Sequence, residues 1–145
     1  MTLTQRIVAR LKAEVAGFGG RVEGAAEFAE LVGSGKLPQT TPAANVLPLG
    51  FQAQRGSASA GAWRQTLTEG VGVVITLRTY GQAQDRTDTE LDALIDAVLR
   101  ALAGWAPGAE SGVLEAVRGN LVGMREGTLV YQLDFTLTDQ LRILA

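Results

Sequence analysis

Thr128-Leu129-Val130-Tyr131-Gln132-Leu133-Asp134-Phe135-Thr136-Leu137-Thr138 is the stretch on which the fold turns. Leu129, Tyr131, Leu133, Phe135 and Leu137 alternate with Val130, Gln132, Asp134, Thr136 and Thr138. That is the period-two pattern of a strand with one face on a core. A slip of one residue would expose five large apolar side chains, so the register is strongly specified. Upstream, Val113 to Met124 reads as a partner strand, joined through Arg125-Glu126-Gly127 in a β-hairpin. The residues beyond Thr138 read as a polar tail.

Working outward, Trp63 to Tyr80 holds the longest expected strand. Val71, Val73, Ile75 and Leu77 alternate with Gly72, Val74, Thr76 and Arg78, and Gly70 and Gly72 suggest a bulge or bend. Between these strands the period changes. Leu91, Leu94, Ile95, Val98, Leu99 and Leu102 form one apolar stripe on a helix over 87–103. Thr87 and Glu90 have capping-box spacing, and Gly104 and Pro107 stop the helix.

Nearer the N-terminus, Leu3, Ile7, Leu11 and Val15 predict a helix over 3–15, with Thr2 and Gln5 as its capping box. A short helix is expected over 23–32, broken by Gly33-Ser34-Gly35. Ala43 to Leu49 reads as a short strand that Pro48 confines to an edge or a strand end. Residues 50–62 are rich in Gly, Ser and Ala and offer nothing for a core, so a flexible loop is expected there. The predicted fold class is α+β: a single domain over 1–145, a mostly antiparallel sheet packed against one long helix, with an N-terminal helix and a short second helix.

Composition narrows the chemistry. The 145 residues include no cysteine and no histidine. Disulfides, thiol catalysis and zinc ribbons are thereby excluded, as are a Ser-His-Asp triad and histidine-based metal sites. Formal net charge is -2, against the basic excess of a strong nucleic-acid binder. No apolar run reaches the length of a transmembrane helix, and the first residues lack signal-peptide organisation, so no membrane association is expected. A folded surface of roughly 7,000 Å² is expected at this mass.

The motif-like stretches resolve to ordinary structure. Gly33-Ser34-Gly35-Lys36 lacks the earlier glycine and the hydroxyl after lysine that a phosphate loop needs, since positions 30 and 37 are Glu and Leu. Gly17-Phe18-Gly19-Gly20 follows a helix rather than a strand and lacks the third glycine of a dinucleotide fingerprint. Asp88, Asp92 and Asp96 stack at helical spacing without an EF-hand pattern. They read as a solvated acidic face, with a partner-facing patch or a channel lining as the functional reading. Ser34, Ser57 and Ser59 have no recognisable base beside them. Neither a catalytic residue nor a metal or cofactor site is assigned. Trp105, just after the main helix, is expected to pack on the core. Trp63, where the loop meets the long strand, is a candidate interface residue.

Two pieces of the chain carry a resemblance. They are Pro42-Ala43-Ala44-Asn45-Val46-Leu47-Pro48, before the loop and long strand, and the helix end Leu102-Ala103-Gly104-Trp105-Ala106-Pro107. With the capped first helix and the closing hairpin through Tyr131-Gln132-Leu133-Asp134-Phe135, nearly the whole chain resembles the tail terminator (tail-completion) proteins of long-tailed bacteriophages and prophages.

The resemblance implies a structural rather than enzymatic role. It implies a homo-hexameric ring on the head-proximal end of the tail tube, which ends tube polymerisation and offers a docking surface to the neck or head-completion protein. DNA would pass through the ring without sequence recognition. The protein would sit in the virion tail after assembly in the host cytoplasm. Under this reading Arg55, Trp63, Arg64 and Arg125 are candidate subunit or tube contacts, and Asp88, Asp92 and Asp96 a candidate channel or partner-facing acidic face. The alternatives are another neck or tail assembly protein, such as a head-tail connector or a tube-like subunit, and then a small ligand-binding domain or enzyme.

Overall fold

The computed structural model describes residues 1–79, 84–109 and 111–144. Helix α1 spans Leu3–Glu14, and a single 3-10 turn follows at Ala16–Phe18. Strand β1 is Val22–Glu23, α2 Ala25–Gly33, β2 Ala43–Ala53, β3 Ser57–Ser59 and β4 Ala62–Arg78. Helix α3 spans Gln84–Leu102, β5 Leu114–Arg125 and β6 Thr128–Leu144. The strands make one sheet in the order β1-β2-β4-β6-β5, with β3 paired to the start of β4. All pairings are antiparallel except β1 with β2. The protein is a single α+β domain, as its sequence predicts.

The sheet is organised around the β4–β6 pair, which stays in register from Ala62↔Leu144 to Arg78↔Thr128. The expected alternation of β6 appears as burial of Leu129, Leu133, Phe135 and Leu137. The β5–β6 turn places Glu126 and Gly127 at φ 51° and 72°. Positive φ at both central residues is the geometry that matches the twist of a two-residue hairpin.

One face of the sheet carries the core. Val71, Val73, Ile75, Leu133 and Phe135 pack with Ile7 and Leu11 of α1 and Leu94, Val98 and Leu102 of α3. Two helices therefore share this face, where the sequence suggested one. Paired side chains clamp them together. Arg6 Nη1 donates to the Pro107 carbonyl at 2.9 Å, and Arg10 Nε to the Ala101 carbonyl at 3.0 Å. The Arg10 guanidinium lies 5.1 Å from the Trp105 ring centroid, so Trp105 is packed against the core as expected. Thr2 and Gln5 form the predicted capping box at α1.

The opposite face is also closed at this end. Every residue from Val71 to Leu77 is buried, where a half-polar strand was expected. Segment 36–42 contributes to the closure: the Arg78 backbone N–H donates to Thr41 Oγ1, and Arg78 Nη2 to Gln39 Oε1.

Three boundaries differ from the sequence reading. Helix α3 begins at Gln84, so Thr87 lies inside the first turns, buried, rather than at the N-cap. The expected end of the long strand at Tyr80 lies outside the described residues. The largest difference concerns the expected loop at 50–62. Residues 50–53 continue β2, 57–59 form β3, and Ala60-Gly61 turn into β4 with φ of 50° and 78°. Small side chains excluded a core contribution here but did not exclude a strand, because a backbone ladder with β4 needs no buried face. For the same reason the polar tail after Thr138 is strand, and β6 runs to Leu144.

The bulge anticipated from Gly70 and Gly72 lies on the partner strand. Leu49 is the extra residue between Pro48↔Val71 and Gly50↔Gly70. A Cβ at Gly70 or Gly72 would sit 3.4 Å from Leu49 side-chain atoms, so the two glycines make room for it. Pro48 is tolerated because β1 pairs β2 only at Ala44 and Asn45, leaving Pro48 on a free edge.

Candidate assembly surfaces

Strands β4 and β6 each have 17 residues, about 55 Å of chain at strand rise. Only one half of that length carries the core. The other half, made of the ends of β2 and β6, the start of β4 and β3, projects as a ribbon past the buried section. We refer to it as the arm.

Register assigns side chains to its two faces. Phe51↔Glu69, Leu67↔Asp139, Gln65↔Leu141 and Trp63↔Ile143 lie on the continuation of the helix-covered face. Phe51 is 67% exposed, Trp63 39% and Ile143 52%. The other face carries Thr68↔Thr138, whose hydroxyls are 3.2 Å apart, and Arg64↔Arg142. Like charges directly across a strand pair repel. Among the described residues neither arginine has an ion-pair partner.

Trp63 is held in place by a glycine. A Cβ at Gly56 would overlap the Trp63 indole, so the backbone at 56 supports the ring at van der Waals contact. A half-exposed tryptophan seated in this way is pre-organised as a contact residue.

The sequence-predicted candidates divide into three places. Arg55, Trp63 and Arg64 all lie on the arm, Trp63 and Arg64 on its opposite faces and Arg55 in the turn between β2 and β3. Arg125 ends β5 at the β5–β6 turn, the whole 17-residue length of β6 away from Leu144 at the other end of the sheet. Asp88, Asp92 and Asp96 are exposed on α3, with Arg100 Nε donating to Asp96 Oδ2 at 2.8 Å. Sequence reading missed Phe51, Leu141, Ile143 and Arg142. The signal for two of them was present, since Leu137, Leu141 and Ile143 continue the β6 alternation and only Asp139 interrupts it.

Exposed apolar side chains also occur on β5, the outermost strand, and the register divides them between the two faces of the sheet: Leu121↔Tyr131 and Met124↔Leu129 on the helix-covered side, Val117 beside Arg118 and Asp134 on the other. Val117, Leu121, Val122 and Met124 are each more than half exposed. Val117 and Val122 are the extra residues of two bulges. Arg118↔Asp134 and Arg125↔Thr128 lie on the face opposite Leu121 and Met124, and Arg118 Nε donates at 2.9 Å to the buried Asp134, which also accepts from Gln132 at 2.7 Å. Between α2 and β2 an open cleft of about 630 Å³ is lined by Arg21, Glu27, Glu30, Lys36 and Asn45 among others. No helix among the described residues is long and apolar enough to cross a membrane.

Total accessible surface is 8613 Å², roughly 1,500 Å² above the scaling value for a monomer of this mass, as a projecting ribbon would give. A small α+β subunit with a projecting ribbon and exposed apolar side chains on that ribbon and on its outermost strand is the class of protein this geometry defines: a building block of a larger assembly. The chain belongs to the phage tail terminator family, whose model, described as phage tail terminator protein, matches residues 2–144. That makes it a structural protein of the phage tail. A solved structure described as the virion of a native gene transfer agent particle has a similar chain: TM-score 0.59 at 15% identity, over 95% of this chain and 94% of that one. At that identity the likeness speaks to the fold. No curated protein matches.

Proposed function

We propose that this protein closes into a hexameric ring on the head-proximal end of the tail tube. There it ends tube polymerisation and presents a docking surface to the neck or head-completion protein. The observation that carries the reading is the family match over residues 2–144. The exposed apolar side chains at two separate places, on the arm and on β5, support it, because a ring subunit makes two different contacts rather than one self-complementary patch. DNA passes through without being read. The acidic face of Asp88, Asp92 and Asp96 is compatible with a channel that does not grip phosphate. The subunit carries out no chemistry and takes no cofactor, and the ring is assembled in the host cytoplasm before it enters the virion.

Native mass spectrometry over a concentration series tests this. Expected is a monomer–hexamer equilibrium, or a hexamer, without longer species. Open-ended polymers would overturn it in favour of a tube-like subunit, because a heterologous contact that does not close makes a filament.

A further inference from the structure

We propose that the cleft between α2 and β2 binds an arginine side chain presented by a different protein, with Asn45, Glu23 and Glu27 holding its guanidinium. The site itself does not depend on the ring reading. Only the choice of a different protein does, because that reading places the contacts between copies on the arm and on β5.

Topology builds the cleft. Strands β1 and β2 run parallel, with Val22↔Ala44 and Glu23↔Asn45, so the chain between them has to cross back along the sheet. Helix α2 and segment 36–42 make that crossing. Val22 and Ala44 belong to the core, so Glu23 and Asn45 lie on the opposite face, where they line the cleft. The direction of the crossing separates the charges. Glu23 and Glu27 stand where β1 ends and α2 begins. Arg21 and Lys36 stand at the far end, before β1 and after α2, with Glu30 between. Among the described residues none of the three glutamates forms an ion pair. Arg21 Nε donates to the Pro42 carbonyl at 2.9 Å instead.

Unpaired acids on a surface are ordinary; Asn45 is not. It is 3% exposed, and its carboxamide makes no hydrogen bond to the described residues. A buried amide without a protein partner costs stability. Its place on the floor of an open cleft points to a partner that arrives from outside.

The chemistry of that partner follows from the surroundings. The acidic end calls for a cation. Among the described residues no three acids are close enough to hold a metal ion, so the carboxylates suit an extended cation rather than a point charge. The cleft holds about 630 Å³, within the range of sites for organic groups. A guanidinium is planar and carries five N–H donors in a fixed fork. It can donate to Glu23 and Glu27 and still give an N–H to the Asn45 carboxamide oxygen. Arg21 and Lys36 repel a cation from the far end, which leaves it one seat.

Saturation-transfer NMR on the full chain, with N-acetyl-arginine amide as the probe, tests the site. The expected Kd is about 1 mM, the scale for a fragment of this size. The citrulline analogue, of the same shape without the charge, should give no transfer, and the lysine analogue should bind about threefold more weakly. Glu27→Gln, an exposed substitution, should weaken the arginine probe about fivefold. Asn45→Leu should weaken it as much while leaving the melting temperature unchanged or higher, since it deletes a buried amide that has no partner. No transfer from the arginine probe at about 10 mM, or equal transfer from the citrulline analogue, would overturn the site. Equal binding of the lysine analogue would overturn the guanidinium. An Asn45→Leu chain that melts lower and binds the probe as wild type does would make Asn45 structural and remove it from the site. Glu27→Gln should leave self-association in native mass spectrometry unchanged. Loss of self-association in that variant, together with loss of the probe, would move the arginine to a second copy of this chain and overturn the assignment to a different protein.

Discussion

The two tryptophans separate what folds the chain from what joins it to others. Trp105 lies under the Arg10 guanidinium, its backbone N–H donates to the Leu102 carbonyl, and its carbonyl accepts from Leu114. Trp105→Ala is expected to cost about 2–3 kcal/mol of stability, below the range for fully buried tryptophan because the ring is partly exposed. Trp63→Ala removes a ring that touches Gly56 and solvent, and is expected to change stability by less than about 1 kcal/mol. Urea unfolding of the two variants checks this, and equal losses would remove the case for Trp63 as a contact residue. The contrast was half legible in the sequence. Position relative to helix and loop suggested the two roles, but the seat on Gly56 depends on a register between β3 and β4 that no local pattern encodes.

At the scale of elements, legibility followed burial. Wherever a core face imposes alternation or a helical stripe, as in β6 from Leu129 to Leu137 or in α3 from Leu91 to Leu102, the pattern predicted the element. Where strands leave the core the pattern fades, because backbone pairing alone holds them and any small or polar residue satisfies it. That is why 50–62 read as a loop and 139–144 as a tail. The same physics predicts uneven protection. Amides of 49–53, 62–68 and 139–144 have no layer of helix above them and few buried neighbours. Hydrogen exchange should be fast at these amides in the dissociated protein, slow at 71–77 and 129–137, and slow at both in the assembled state. Arm amides already protected as strongly as Ile75 in dissociated protein would mean that assembly is not needed to order them.

At the scale of the whole molecule, the proposed ring could be held together by either of two forces. Two pictures use different residues. In one, Arg55 and Arg64 reach the acidic face of Asp88, Asp92 and Asp96 on a neighbour, and the contact is mainly charge. In the other, the apolar face of the arm makes the contact and the arginines on its opposite face stay in water. Salt distinguishes them. The Debye length falls from about 14 Å at 0.05 M to about 4 Å at 0.5 M, so a contact made of exposed ion pairs loses most of its attraction over that range. An apolar contact does not, and excluded salts such as sulfate strengthen it. Because the arm face carries Phe51, Trp63, Leu141 and Ile143 while Arg64 and Arg142 occupy the other side, the assembly midpoint should shift less than about threefold between 0.05 and 0.5 M sodium chloride. It should move to lower concentration in ammonium sulfate. Sedimentation velocity in the three buffers reads this directly. A weakening of tenfold or more in sodium chloride would transfer the interface to the arginines and the aspartate face, and with it the assignment of which side of the ribbon meets the next subunit.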